Sequence, residues 1–295
     1  MAIWSYKTTQ FLKATIKLLI LGLASYYVVI HWQKTQAHPE YNQQLLYDTI
    51  LSYPNIAILL SLTMINWMLE GIKWKLAVSK LSKINLSESI KQILTAHIGG
   101  LITPAKLGDF TTKALYYPKE NYKKVLWLSF LCSWFQMLAT VMAALLGVGY
   151  MIYLYLPSYL PGYLLLLLLV LFCWKYIPRL LRGSQLLKHS KIYRTYQRSF
   201  LIKPTFGYAL WGWSLLRYIV FAHQFYFLML LFEVGLSYPH ALALISCIYF
   251  LSSVVPVIQF FDVLLKSSLT VIVFGYFNID QSSGLLIPFM MWLYT

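Results

Sequence analysis

Two stretches decide how this chain is read: Thr103-Pro104-Ala105-Lys106-Leu107-Gly108-Asp109-Phe110-Thr111-Thr112-Lys113, and Val255-Pro256-Val257-Ile258-Gln259-Phe260-Phe261-Asp262-Val263-Leu264-Leu265-Lys266. In both, a proline is followed by an aspartate and, four residues later, by a lysine. Spacing of four puts acid and base on one helical face, in the order that also suits the helix dipole. Each proline sits near the middle of an apolar run, 87–117 and 238–277, and leaves halves too short to cross a membrane alone. The broken runs predict pairs of half-helices that enter and leave by the same face, a shape tolerated where the irregular tip is buried in protein or lines a cavity. The alternative for each run is a full span kinked at its proline.

The rest of the chain supplies the membrane context. Of 295 residues, 59% are hydrophobic and 11% charged, yet 24 Lys and Arg against 9 Asp and Glu give a formal charge of +15. Soluble domains carry about 25% charged and roughly 45–50% apolar residues, so this chain lacks the polar surface of a water-facing globule. The composition excludes a soluble enzyme and makes nucleic acid a poor explanation of the basic excess. Five segments are long and apolar enough for full spans: 11–32, 55–78, 124–156, 162–177 and 205–233. The first is long for a cleavable signal and no A-x-A-like site follows it. Cys132, Cys173 and Cys247 lie in apolar runs without metal-ligand spacing and read as buried thiols.

Lysine and arginine mark the cytoplasmic side of a bilayer. Lys7, Lys13 and Lys17 place the N-terminus inside. Basic residues flank the first broken run on both sides, so it opens inward. The connection 179–204 has no acid and reads as a basic cytoplasmic loop, with Glu233 and Asp280 beyond it flanking a second broken run that opens outward. The expected fold is therefore an all-α polytopic membrane protein in one domain, 1–295. It has about five full spans and two oppositely oriented re-entrant hairpins, in a first repeat at 87–156 and a second at 238–295, which is the arrangement of an inverted repeat. Only about twelve residues remain from 284 onward, so the last helix reads as partial and 295 as a length that ends inside a span.

Pro104 suits the first position of a helix, with Thr103 as its N-cap. A helix beginning inside a membrane aims free N–H groups and a partial positive charge at its tip, where an anion is the natural guest. With its Thr-Pro-Ala-Lys-Leu-Gly-Asp core, the stretch from 87 to 147 resembles the membrane domain of the lysylphosphatidylglycerol synthase/flippase family. The stretch 238–276 resembles it more loosely. Family members generally have Glu and Arg where this chain has Asp109 and Lys113, and an acid-x-x-x-Arg segment where it has Asp262 and Lys266. Their acidic and arginine residues in the following helix appear here as Ser133 and Gln136, to which no role is transferred. The resemblance implies a lipid-handling membrane module of the stand-alone kind, without the soluble aminoacyl transferase.

Arg217 falls near the middle of its span, where an arginine costs about 2.5–3.5 kcal/mol and should face protein or a wet cavity. It suits a lipid phosphate or a structural pair with Asp262 or Asp109. Asn66, Glu70 and Lys73 follow helical steps on the second span, with Glu70–Lys73 expected as an interfacial pair near its cytoplasmic end. His97 and His223 read as hydrogen-bonded helix histidines, with titration near the inner tip as the alternative for His97. The expected substrate-binding set is Thr103, Pro104, Lys106, Gly108, Asp109, Lys113, Arg217, Pro256, Asp262 and Lys266, with no metal and no cofactor. The expected function is that of a multi-pass bacterial inner-membrane lipid transporter or flippase-like protein. Its partners would be membrane lipids with an anionic or aminoacylated head group. Two alternatives stay open: an integral-membrane transferase using a lipid-linked donor, and a non-catalytic assembly subunit.

Overall fold

The computed structural model describes residues 22, 26, 52–79, 81–103, 107–169, 204–255 and 259–294. The expected first span apart from Gly22 and Tyr26, and all of the basic loop except Pro204, lie outside them. Among the described residues the regular structure is entirely helical. In order come α1 (Tyr53–Val78), α2 (Leu86–Ile102), α3 (Leu107–Leu115), α4 (Tyr122–Tyr155), α5 (Pro157–Leu169), α6 (Pro204–Leu231), α7 (Tyr238–Val254), α8 (Gln259–Tyr276) and α9 (Gln281–Tyr294). Three of them, α1, α4 and α6, are long and apolar enough to cross a membrane. Their 26, 34 and 28 residues correspond to about 39, 51 and 42 Å. They coincide with the spans expected at 55–78, 124–156 and 205–233, whereas α5 covers only the described part of the span expected at 162–177.

Local chemistry sets the helix ends. Asn85 accepts the Glu88 backbone N–H at 2.7 Å, the side-chain cap that starts α2. At the end of α6, Glu233 turns left-handed (φ 55°), while Val234 N–H reaches Met229 O at 2.9 Å and Glu233 N–H reaches Leu230 O at 3.0 Å. That pair of bonds is the Schellman closure. Asn278 (φ 54°) closes α8 in the same way, with Ile279 N–H on Phe274 O at 2.9 Å. Asp280 then caps α9 through Ser282 and Ser283 N–H, both at 3.2 Å.

Both broken runs fold back on themselves. In the first, α2 and α3 run antiparallel: Thr95 Oγ1 meets the Tyr116 hydroxyl at 2.8 Å, and Tyr117 OH donates to Gln92 Oε1 at 3.0 Å. Near the tip, Gly99 and Gly108 bring the two backbones together, and a Cβ on Gly108 would overlap the Gly99 carbonyl. In the second, the Lys266 ammonium on α8 lies 5.5 Å over the Tyr249 ring on α7. The limbs are unequal: α3 has 9 residues, whereas α8 has 18, about 27 Å and close to a span's length. The expectation is that each half is too short to cross a membrane alone; α8, at about 27 Å, comes close to the length that crossing needs.

The hairpins open at opposite ends of the bundle. Ser89 on α2 donates to Gly71 O at 2.7 Å, toward the C-terminal end of α1, and α3 leads into the start of α4. Exposed Lys75, Lys83, Lys91, Lys119, Lys123 and Lys124 all lie toward this end. By contrast α7 begins beside the far end of α4, where Tyr150 and His240 stack edge-on at 5.2 Å, and α8 ends there, with Phe277 5.5 Å from Tyr155. Among the described residues no Lys or Arg lies at that end. A Cβ on Gly147 would overlap Ser246 on α7, so α4 and α7 cross closely through small residues. Between the two ends, α2 and α8 touch.

Candidate functional site: a charged layer between two apolar cores

Two apolar cores fill the bundle. One, toward the lysine-rich end, gathers Trp74, Ile93, Ala114, Leu128 and Leu210. The other gathers Leu59, Ala139, Phe225, Ile248 and Phe274. Helices α1, α4 and α6 run through both, and on each of them the passage from one core to the other is polar. On α1 it holds Asn66, Glu70 and Lys73; on α4, Gln136; on α6, Ser214 and Arg217.

These side chains form one network. Arg217 Nε donates to Asn66 Oδ1 and Nη1 to Glu70 Oε2, both at 2.8 Å. The same carboxylate oxygen takes the Lys73 ammonium at 2.6 Å. Lys73 also donates to Gln136 Oε1, whose amide nitrogen donates to Ser214 O, both at 3.3 Å. One turn further along, Gln224 Nε2 donates to Thr63 Oγ1 at 2.9 Å and extends the polar contacts between α1 and α6. Lys73 is 1% exposed, Glu70 11% and Arg217 24% by side chain, so the arginine stands at the rim.

The first hairpin brings a second ion pair alongside. Lys113 Nζ lies 2.9 Å from Asp109 Oδ2 and 5.0 Å over the Trp74 ring. Trp74 Nε1 in turn donates to Gln92 Oε1 at 2.9 Å. Thr103 acts at the tip, its hydroxyl accepting the Gly108 N–H at 2.7 Å and donating to Gly99 O at 3.1 Å. This pair lies beside the network, because Trp74, under the Lys113 ammonium, follows Lys73 directly on α1. Among the described residues the layer therefore sets three cations, Arg217, Lys73 and Lys113, against two carboxylates, Glu70 and Asp109, with one positive charge in excess.

Of the expected site residues, Thr103, Gly108, Asp109 and Lys113 lie together at the first tip, and Arg217 lies in the layer. Asp262 and Lys266 pair with each other at 2.6 Å, half-buried, and among the described residues no hydrogen bond or ion pair joins them to Arg217. Pro104, Lys106 and Pro256 fall outside the described residues. One expectation needs correction. Arg217 pairs with Glu70 rather than with Asp262 or Asp109, because α1 packs antiparallel on α6 and brings Glu70 to its level. Glu70 and Lys73 pair as expected, with Glu70 buried and eight residues, about 12 Å, before the end of α1.

Asn66 and Gln136, the first seen only as a step on α1 and the second given no role, prove to be members of the network. The signal for Asn66, Glu70 and Lys73 was their spacing of four and three on an apolar helix. Of the two histidines, His223 uses both ring nitrogens: Nδ1 donates to Ile219 O at 2.8 Å and Nε2 accepts the Tyr238 hydroxyl at 2.7 Å. His97 stacks edge-on against Trp67 at 5.0 Å. Among the described residues, no three His, Cys, Asp or Glu side chains converge where a metal ion could sit.

Comparison with protein-family models, curated proteins and solved structures finds no match. The functional reading therefore rests on the residues themselves.

Proposed function

We propose that the protein is a membrane transporter of flippase type that moves a lipid with an anionic or aminoacylated head group. The observation that carries this reading is the charged layer at mid-length of three long apolar helices. Ionisable groups at such depth cost several kcal/mol and mark substrate pathways more often than scaffolding. A surplus positive charge there suits a phosphate-bearing head group, and the apolar outer faces of α1, α4 and α6 suit acyl chains that stay in lipid. On this reading the two hairpins are the inverted halves of a re-entrant pair, the lysine-rich end faces the cytoplasm, and alternating exposure comes from one half moving against the other. Asp109 and Asp262 would hold the cationic part of an aminoacylated head group, and release Lys113 and Lys266 as they do so.

The test is lipid movement in proteoliposomes. With a fluorescent aminoacyl-phosphatidylglycerol in one leaflet, Asp109→Asn and Asp262→Asn should each slow transfer by about tenfold or more, a loss of at least 1.4 kcal/mol at the barrier. Wild-type rates in both variants, in protein that elutes as a single folded species, would reject the mechanism.

A further inference from the structure

Resting on that reading of the layer, we infer that Arg217 is its anion seat, that Glu70 is a built-in competitor for that seat, and that Lys73 is the positioning residue which lets Glu70 let go. Three observations carry this. First, the count: Glu70 is one carboxylate shared by two cations, with Lys73 at 2.6 Å and Arg217 at 2.8 Å on the same oxygen, Oε2. Second, the geometry: a guanidinium matches an anion best through two parallel N–H bonds. Here Arg217 gives Glu70 only Nη1, while Asn66 holds Nε, and among the described residues Nη2 has no partner. Third, the exposure: Lys73 is sealed at 1% and Arg217 is open at 24%, so the cation that an incoming anion can reach is the one with donor capacity to spare.

Charge balance makes the exchange feasible. Removing the partner of a buried charge is ordinarily costly because it leaves that charge uncompensated. When an anion takes Arg217, Glu70 keeps Lys73, and Lys73 keeps Gln136 at 3.3 Å. No buried charge is stranded. The empty site is closed by its own carboxylate, and the filled site has two neutral pairs where the empty site had one anion between two cations. The ligand chemistry is that of a phosphate mono- or diester, carried by a lipid head group or by a free phosphate.

The experiment is a binding titration of the full chain in detergent micelles, read by native mass spectrometry. Short-chain phosphatidylglycerol is the probe, phosphatidylcholine the control and inorganic phosphate the competitor. Glu70→Gln should bind phosphatidylglycerol about tenfold more tightly than wild type, within the usual range for coupled sites. Arg217→Gln should lose at least about tenfold. Lys73→Gln should also weaken binding, because Glu70 then has Arg217 as its one remaining cationic partner in the trio. The double variant Glu70→Gln/Lys73→Gln should recover wild-type affinity or better. That recovery separates the exchange from a merely structural role, which predicts that the double variant is worse than either single one.

Displacement by inorganic phosphate assigns the seat to the phosphate group, and failure to displace assigns it to the lipid; either supports the exchange if the order of variants holds. Unchanged or weaker binding in Glu70→Gln, or a double variant that is not rescued, overturns the exchange. Wild-type protein that binds no anionic probe overturns the transporter reading itself.

Discussion

At the scale of single residues, two glycines set the approach of the first hairpin's limbs. Gly99 and Gly108 let α2 and α3 touch backbone to backbone just below the tip of the first hairpin, and a methyl group on Gly108 would meet the Gly99 carbonyl and the Thr103 hydroxyl. Gly108→Ala should therefore destabilise the protein by about 1–3 kcal/mol, the usual cost of overpacking, with Asp109 and Lys113 displaced as the limbs part. Thermal unfolding in micelles checks this, with Gly212→Ala, inside α6 and with nothing within 4 Å of a Cβ, as the control that should raise stability by about 0.5–1 kcal/mol. The Pro…Gly-Asp-x-x-x-Lys core was visible in the sequence because a local spacing rule, acid and base four apart, needs no knowledge of the partner helix. The Arg217–Glu70 pair was not visible, because its members are 147 residues apart. Which acid an intramembrane arginine finds depends on which helix lies beside it and at what level.

At the scale of helices, the ends were more legible than the lengths. The prolines announce the breaks, since their signal is confined to one turn, whereas the Asn85 cap that starts α2 emerges in the structure. The unequal limbs, 9 residues in α3 and 18 in α8, were legible only in part: Pro118 stops the first run just beyond Tyr117, whereas no proline follows Pro256 within the second run. The end of α6 carries a testable cost. Glu233 occupies a left-handed conformation at φ 55°, which costs a residue with a Cβ roughly 1–2 kcal/mol. It is also exposed and makes no ion pair among those formed by the described residues. Glu233→Gly should raise stability by about 0.5–1 kcal/mol, seen as a higher unfolding midpoint with the same transition width. A lower midpoint would mean that the side chain contributes something beyond its backbone.

At the scale of the whole molecule, composition alone indicated a helical membrane protein, because 59% apolar residues leave too little polar surface for any other environment. Charge placement adds direction, with six exposed lysines at one end of the bundle and no Lys or Arg among the described residues of the other. Single cysteines introduced in a cysteine-free background should report this. Lys123→Cys at the start of α4 and Ser158→Cys just beyond its far end should react with an impermeant maleimide from opposite faces of sealed vesicles. Labelling of both from one face would remove α4 as a spanning helix. The two apolar cores have a mechanical consequence. Each hairpin contributes buried residues to one core alone, α2 and α3 to one, α7 and α8 to the other, whereas α1, α4 and α6 are common to both. If the halves move as proposed, each hairpin has a single apolar core to loosen, and the first must also release its hydrogen bonds to α1, Ser89 to Gly71 O and Trp74 Nε1 to Gln92.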